Sequence, residues 1–219
     1  MRNIDRYTHV IWDFNGTLLD DVDCGIASVN EMLSRRKMKC IGSKEEYRER
    51  FGFPITEYYR RCGFDFDRES FEALAVEWVE LYERNSYLSS AVAGTMELLS
   101  HIKAAGIVQL ILSASEYGML RRQCGELGIS KYFSEFLGLS DIYAGSKLDI
   151  AVGWRGKNPD ARPLFIGDTE HDAQCAEAIK SDCALLLCGH QGVQKLSGLG
   201  FPIFDGHYEL DRYLFAEIE

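Results

Sequence analysis

The sequence has no run of roughly 18 apolar residues, the length a membrane-crossing helix needs. Its first residues, MRNIDRYTHVIWDF, hold no long apolar stretch of the export-signal kind and carry Asp5 within them. These absences lead us to expect a soluble, unexported, cytoplasmic chain with no membrane partner. Basic residues are in deficit, with 24 Lys and Arg against 34 Asp and Glu and a formal net charge of −10. That excludes sequence-independent nucleic-acid binding, which needs a basic surface. It does not exclude an anionic small substrate, since a site can be locally positive inside an acidic protein. Cysteines stand at 24, 40, 62, 124, 175, 183 and 188, an odd number with no C-x-x-C pair. Reduced thiols are expected, and the close Cys/His spacing of a zinc site is missing. There is no internal repeat, low-complexity segment or Gly/Ser linker, and nothing bears on oligomeric state.

What is present is ordinary globular composition, 46% hydrophobic over 219 residues. That is enough for one substantial core, with or without a smaller insertion. Four short apolar runs stand out: HVIWDF (9–14), VQLILS (108–113), RPLFIGD (162–168) and CALLLC (183–188). Nearly continuous apolar runs of this length are how strands covered on both faces read. Helical stretches lie at 95–106, 116–128 and 171–181. The alternation predicts an α/β fold, a doubly wound (Rossmann-like) parallel sheet.

Between residues 21 and 90 the alternation stops and helical signals dominate. Ile26, Val29 and Leu33 share a helical stripe. Ser43 and Glu46 make a capping box. Phe71, Leu74, Ala75 and Trp78 line one face of a later helix. We expect a core domain of residues 1–20 and 91–219 with an inserted α-helical cap domain at 21–90. The simpler alternative is helices that only pack on the sheet. Phe71, Trp78 and Tyr82 read as cap core, and Trp12 and Phe14 as core or cleft wall.

Open α/β sheets bind ligands at the carboxyl ends of their strands. Asp13, Ser113 and Asp168 end three of the runs, and Asp172 follows within a turn. If the strands are neighbours, three carboxylates and a hydroxyl converge. Such acids repel unless a cation joins them, and a hard oxygen set favours Mg²⁺. Mg²⁺ in such a cleft suits phosphate chemistry, with a lysine as further positive charge. Lys147 and Lys157 are both candidates. The FNGT turn (14–17) offers backbone N–H groups to a phosphate, and a carboxylate can act as nucleophile.

These residues resemble the haloacid dehalogenase superfamily of phosphatases. DFNGT is similar to its first motif, D-x-D-G-T; LILSAS to the second; GSK to the third; and IGDTEHD to the fourth. Order and separations agree over most of the chain. The tail GHQGVQKLSGLGFPIFDGHYEL and the placement of the helical segment resemble the phosphoglycolate-phosphatase-like branch. The resemblance implies a Mg²⁺-dependent phosphatase for a small phosphorylated metabolite, with Asp13 as nucleophile and metal ligand. It implies that Asn15 gives its backbone carbonyl to the metal, that Gly16 and Thr17 form and support the phosphate turn, and that Ser113 bonds the phosphoryl oxygens. Lys147, preferred over Lys157, pairs with Asp13 and phosphate, and Asp168 and Asp172 hold the metal. Arg50 and Phe53 fall where relatives carry a substrate-facing loop. His171 and His190 receive no chemical role.

Two positions depart from the pattern. Asn15 stands where the family has its acid/base aspartate, and an amide neither gives nor takes a proton near neutral pH. Ala114 stands where relatives often carry Asn. The first departure implies slow or leaving-group-selective turnover, or another acid, with Asp20, Asp21 and Glu116 as candidates by sequence placement. Two further alternatives follow: a phosphate-binding or regulatory protein without turnover, and another reaction on the same scaffold. The latter includes phosphoryl transfer or phosphonate cleavage, for which Lys37, Lys39 and Lys44 lie in the right region.

Overall fold

The computed structural model describes residues 1–143 and 146–217. In chain order the elements are β1 (His9–Trp12), β2 (Leu19–Asp20), α1 (Val22–Arg35), α2 (Lys44–Arg50), α3 (Ile55–Cys62), α4 (Phe71–Asn85), β3 (Ser90–Ala91) and α5 (Thr95–Ala104). There follow β4 (Val108–Glu116), α6 (Tyr117–Glu126), β5 (Glu135–Leu139), α7 (Leu148–Lys157), β6 (Pro163–Gly167), α8 (Glu170–Ala178), β7 (Asp182–Leu186), α9 (Val193–Leu196), β8 (Ile203–Phe204) and α10 (His207–Phe215).

Among the described residues, six strands form one parallel sheet in the order β5-β4-β1-β6-β7-β8. The four apolar runs supply β1, β4, β6 and β7. Alternate residues of each strand face opposite layers. Val10, Trp12, Ile111, Leu164, Ile166 and Leu186 join the core on one face. Ile11, Leu110, Leu112, Phe165, Cys183 and Leu185 join the core on the other. Both faces are covered by helices, so the strands carry no polar alternation. Trp12 and Phe14 are fully buried core residues, Trp12 bonding Gln109 Oε1 through its indole N–H at 3.1 Å.

Two outer strands escaped the sequence reading. β5 is only half-buried, and β8 has two residues, so neither shows a run of buried apolar positions. β4 also runs past Ser113 to Glu116, with its pairing to β5 shifting register after Leu112.

The helices α1 to α4 lie between β2 and β3, which pair antiparallel as a short two-stranded stem. They share an apolar cluster of their own, including Val29, Met32, Leu33, Tyr58, Tyr59 and Leu81. Ser43 caps α2 by accepting from Glu46 N at 3.2 Å. The return half of the expected box goes elsewhere, because Glu46 accepts from Gly42 N at 2.7 Å. Ser70 caps α4 through Ala73 N.

Candidate active site

β1 lies at the centre of the sheet, between β4 and β6. Asp13 follows its last residue, and its N–H donates to Ile166 O at 2.8 Å, extending the β6 ladder by one bond. The same end of β6 delivers Asp168. Asp172 arrives one turn into α8 through a capping box with Thr169. Gly167 permits this approach, since any Cβ there would overlap the Asp172 side chain. Carboxylate oxygens of Asp13, Asp168 and Asp172 lie within 4.8 Å of one another, and all three residues are buried.

Each carboxylate has its own set of donors. Lys147 Nζ, just before α7, bonds Asp13 and also Asp172 Oδ1, the latter at 2.5 Å. Asp172 Oδ2 accepts from Asp168 N, Thr169 N and Thr169 Oγ1 at 3.1, 2.9 and 2.6 Å. Asp168 accepts from Thr17 Oγ1 at 2.9 Å and from His190 N at 2.6 Å. Burial pushes the Asp13 carboxyl well above its ordinary range, more than the Lys147 ammonium pulls it down. Burial likewise raises Asp168 to about 6. Asp172 feels burial too, but Lys147 and the Thr169 hydroxyl bring it below the usual value. Lys147 is desolvated as well, yet Asp13 and Asp172 hold it firmly charged.

One ammonium therefore faces three buried carboxylates. Burial is the main cause of the raised Asp13 and Asp168 carboxyls, and the neighbouring carboxylates add to it. An all-oxygen set with a surplus of negative charge fits a hard divalent cation. The donor set of Asp13, Asp168 and Asp172 thus passes the chemical test for a metal site.

A second network sits against the first motif. Asp21 is 2% exposed and accepts four hydrogen bonds. They come from Gly16 N at 2.9 Å, His190 Nε2 at 3.1 Å, Asn15 Nδ2 at 2.8 Å and Tyr82 OH at 2.6 Å. Asn15 Nδ2 also donates to Tyr82 OH at 3.0 Å, while Asn15 Oδ1 accepts from Ser115 Oγ at 2.7 Å. Burial alone would lower His190, but the adjacent Asp21 carboxylate reverses this and raises it to about 9. His190 Nδ1 pairs with Tyr47 OH at 2.8 Å.

The structure gathers Asp13, Asn15, Ser113, Ala114, Lys147 and Phe53 on the wall of one cleft. Gly16 and Thr17 lie beneath it. Gly16 takes φ +76° under the Asp168 carboxylate, where a Cβ has no room. Ser113 is buried, and its Oγ accepts from Ser115 N at 3.1 Å. Glu116 caps the following helix α6, holding Gly118 N and Met119 N, both at 2.8 Å. Asp168 and Asp172 stand in the carboxylate cluster with Asp13 rather than on that wall. Arg50 is in neither, because Glu46 one turn back on α2 holds its guanidinium. Lys157 is exposed at the end of α7, far in function from the Lys147 position. Gly145 of the GSK motif lies outside the described residues. Asp20 is exposed on β2, and Lys37, Lys39 and Lys44 are exposed and off the cleft wall.

Phe71 and Trp78 pack on the helical core as expected, and Tyr82 stacks on Trp78. All three also line the cleft, which the expectation did not include, and the Tyr82 hydroxyl reaches Asp21. His190, given no role from sequence, bonds Asp21 and lines the cleft as well. Nothing in its local sequence marked it. Asp21, by contrast, sits eight positions after Asp13, just beyond the first motif, and that placement was its signal.

A doubly wound sheet with carboxylates gathered at the carboxyl end of its central strand places the protein in the α/β class that binds ligands at its strand ends. Residues 10–186 match the family model of haloacid dehalogenase-like hydrolases, and the chain belongs to that family. It is 26% identical over 192 residues to phosphoglycolate phosphatase 1 of Pseudomonas aeruginosa, covering 83% of this chain and 70% of that protein. It is 25% identical over 190 residues to N-acetylmuramic acid 6-phosphate phosphatase of Pseudomonas putida, covering 84% and 85%. Its fold is similar to that of a haloacid dehalogenase-like family hydrolase from Streptococcus pneumoniae, with TM-score 0.80, 18% identity and coverage of 95% and 99%. No helix among the described residues is long and apolar enough to cross a membrane.

Proposed function

We propose that the protein is a Mg²⁺-dependent phosphoric monoester hydrolase acting on a small phosphorylated metabolite through an aspartyl-phosphate on Asp13. The observation that carries this reading is the Lys147 ammonium bridging Asp13 and Asp172 inside the three-carboxylate cluster. A buried lysine held between two carboxylates is placed both to orient Asp13 and to offset the charge of a phosphoryl group. Family membership and phosphatase relatives support the same reading.

Asp13, Asp168 and Asp172 would hold the cation, with the Asn15 backbone carbonyl as a further ligand. When bound, Mg²⁺ supplies charge stabilisation for the transferring phosphoryl group. Asp13 attacks phosphorus, the leaving oxygen departs with its electron pair, and water later cleaves the acyl phosphate. Lys147 orients Asp13 and offsets phosphoryl charge. Ser113 and the backbone around Gly16 bind phosphoryl oxygens, and Thr17 steadies Asp168. The helices of residues 21–90 act as a cap that excludes water from a small substrate. We place the enzyme in the cytoplasm.

Asn15 sets the character of the reaction. Its amide is fixed between Asp21, Tyr82 and Ser115 and has no proton to give. General acid–base catalysis is worth about a hundred- to ten-thousand-fold, so substrates with good leaving groups are favoured. The same asparagine favours a second reading, a phosphate-binding regulator that retains the cluster without turnover.

Phosphate release from acetyl phosphate and from a simple alkyl phosphate, with and without Mg²⁺, tests the proposal. Mg²⁺-dependent release that disappears in Asp13→Asn supports it. No release from either, in a folded protein that binds Mg²⁺, would leave the binding role.

A further inference from the structure

The cleft above Asp13 opens to solvent, and its outer wall is largely aromatic and aliphatic. Phe53, Tyr58, Tyr59, Phe71 and Trp78 supply rings from three different parts of the helical segment. Trp78 stacks on Tyr82 at 4.7 Å between centroids and 25° between planes, so its ring is held flat.

Cations on this wall are few and already engaged. Lys147 is held by Asp13 and Asp172, and His190 by Asp21. Arginines nearby point elsewhere: Arg48 bonds Gly189 O at 2.9 Å, Arg50 bonds Glu46, and Arg61 bonds Arg50 O at 2.6 Å. Glu116 adds an acid at the wall. A carboxylate on the distal part of a substrate would thus be buried among rings without a partner, which is strongly unfavourable.

We infer that the cleft selects a phosphate monoester with an uncharged aromatic leaving group, in preference to a phosphorylated carboxylic acid or sugar. This rests on the phosphatase reading above. The Asn15 substitution points the same way by an independent route. A phenol has a pKa of about 10, well below an alcohol's, and departs without a proton. In the step, the Asp13 O–P bond forms as the P–O(aryl) bond breaks. The phenolate leaves with the bonding pair and takes its proton from water.

Binding and turnover are measured separately. Benzylphosphonate and phosphonoacetate, neither of which can be hydrolysed, are titrated into the Mg²⁺-loaded protein by calorimetry. The Kd of benzylphosphonate is expected to be lower by about tenfold or more, and Trp78→Ala narrows the ratio. Equal or tighter binding of phosphonoacetate, or no measurable binding of benzylphosphonate, overturns the inference. In parallel, release is followed from phenyl phosphate, 2-phosphoglycolate and acetyl phosphate. Turnover of acetyl phosphate with 2-phosphoglycolate favoured over phenyl phosphate overturns the aromatic preference and spares the phosphatase reading. Preferential binding of benzylphosphonate with no release from any of the three overturns the phosphatase reading and spares the preference.

Discussion

The side-chain amide of Asn15 donates to Asp21 Oδ2 at 2.8 Å, joining the asparagine of the first motif to a buried carboxylate six residues later. The acid expected at position 15 is missing, and an acid stands beside it at 21 instead. Asp21 cannot simply replace it. All four of its hydrogen bonds come from donors, and its carboxyl is kept below the ordinary range despite burial, chiefly by His190. It anchors the amide that fills the acid/base position.

This arrangement gives an asymmetric prediction for reversion. Asn15→Asp alone sets two carboxylates against each other in a buried pocket, and unfolding by urea is expected to show a loss of about 2–4 kcal/mol. Asn15→Asp combined with Asp21→Asn restores one amide and one carboxylate. The double variant should recover most of that stability and raise the rate on an alkyl phosphate by about a hundredfold. Equal stability of the single variant and the wild type would show that the contact does not govern position 15.

Tyr82 joins the same network from α4. Tyr82→Phe removes the hydroxyl that donates to Asp21 and accepts from Asn15 while keeping the ring stacked on Trp78. A loss of about 1–3 kcal/mol is expected, since Asp21 keeps its charge but loses a donor. Thermal unfolding of the variant checks it, and a loss near zero would mean the remaining three donors suffice.

The carboxylate cluster predicts stabilisation by metal. A ligand that binds only the folded state adds about 2.7 kcal/mol at one hundred times its Kd. Mg²⁺ should therefore raise Tm relative to EDTA, and Asp168→Asn should abolish the increment. The same variant relieves repulsion among the acids, so its Tm in EDTA is expected to be at or above that of the wild type. A Tm increment by Mg²⁺ that survives in Asp168→Asn would remove Asp168 from the metal site.

The legible parts of the molecule were those whose physics is local. Strands β1, β4, β6 and β7 could be read because burial on both faces makes nearly every residue of the runs apolar, and the ends of three of them located Asp13, Ser113 and Asp168. Asp172 was visible because it follows Asp168 within a turn in IGDTEHD, and the structure adds the capping box that holds it one turn into α8. The half-buried β5 and the two-residue β8 have no such signature. Nor does the His190–Asp21 contact, which spans 169 residues and depends on how the chain after β7 returns over the first motif. The rings of α3 and α4 were equally ambiguous. A helix that packs inward on one edge of its stripe and lines a cleft on the other has one apolar pattern for both tasks. Only the placement of the helices over Asp13 separates Trp78, on the cleft wall, from Leu74, in the core.

A buried histidine outside the carboxylate cluster gives a prediction in pH. His207 begins α10, is 1% exposed, shares a hydrogen bond with Thr95 Oγ1 at 2.9 Å and meets the edge of Trp12. Burial lowers it from the ordinary 6.5 to about 4. Above 6.5 the ring is neutral in both folded and unfolded chains, and it contributes no pH dependence. Between 6.5 and about 4 the unfolded chain takes up a proton that the folded chain refuses, so stability falls as the pH falls. Below about 4 both forms are protonated and the loss is complete. The full loss from this one group is about 3 kcal/mol. Carboxylates elsewhere add their own acid dependence, so the comparison is with His207→Gln, which has no proton to gain. Urea unfolding at pH 7 and pH 4.5 should show the wild type losing about 2 kcal/mol more than the variant over that interval. Parallel losses in the two proteins would mean that the folded state admits the charge, and that the pocket beneath α10 opens to water at acid pH.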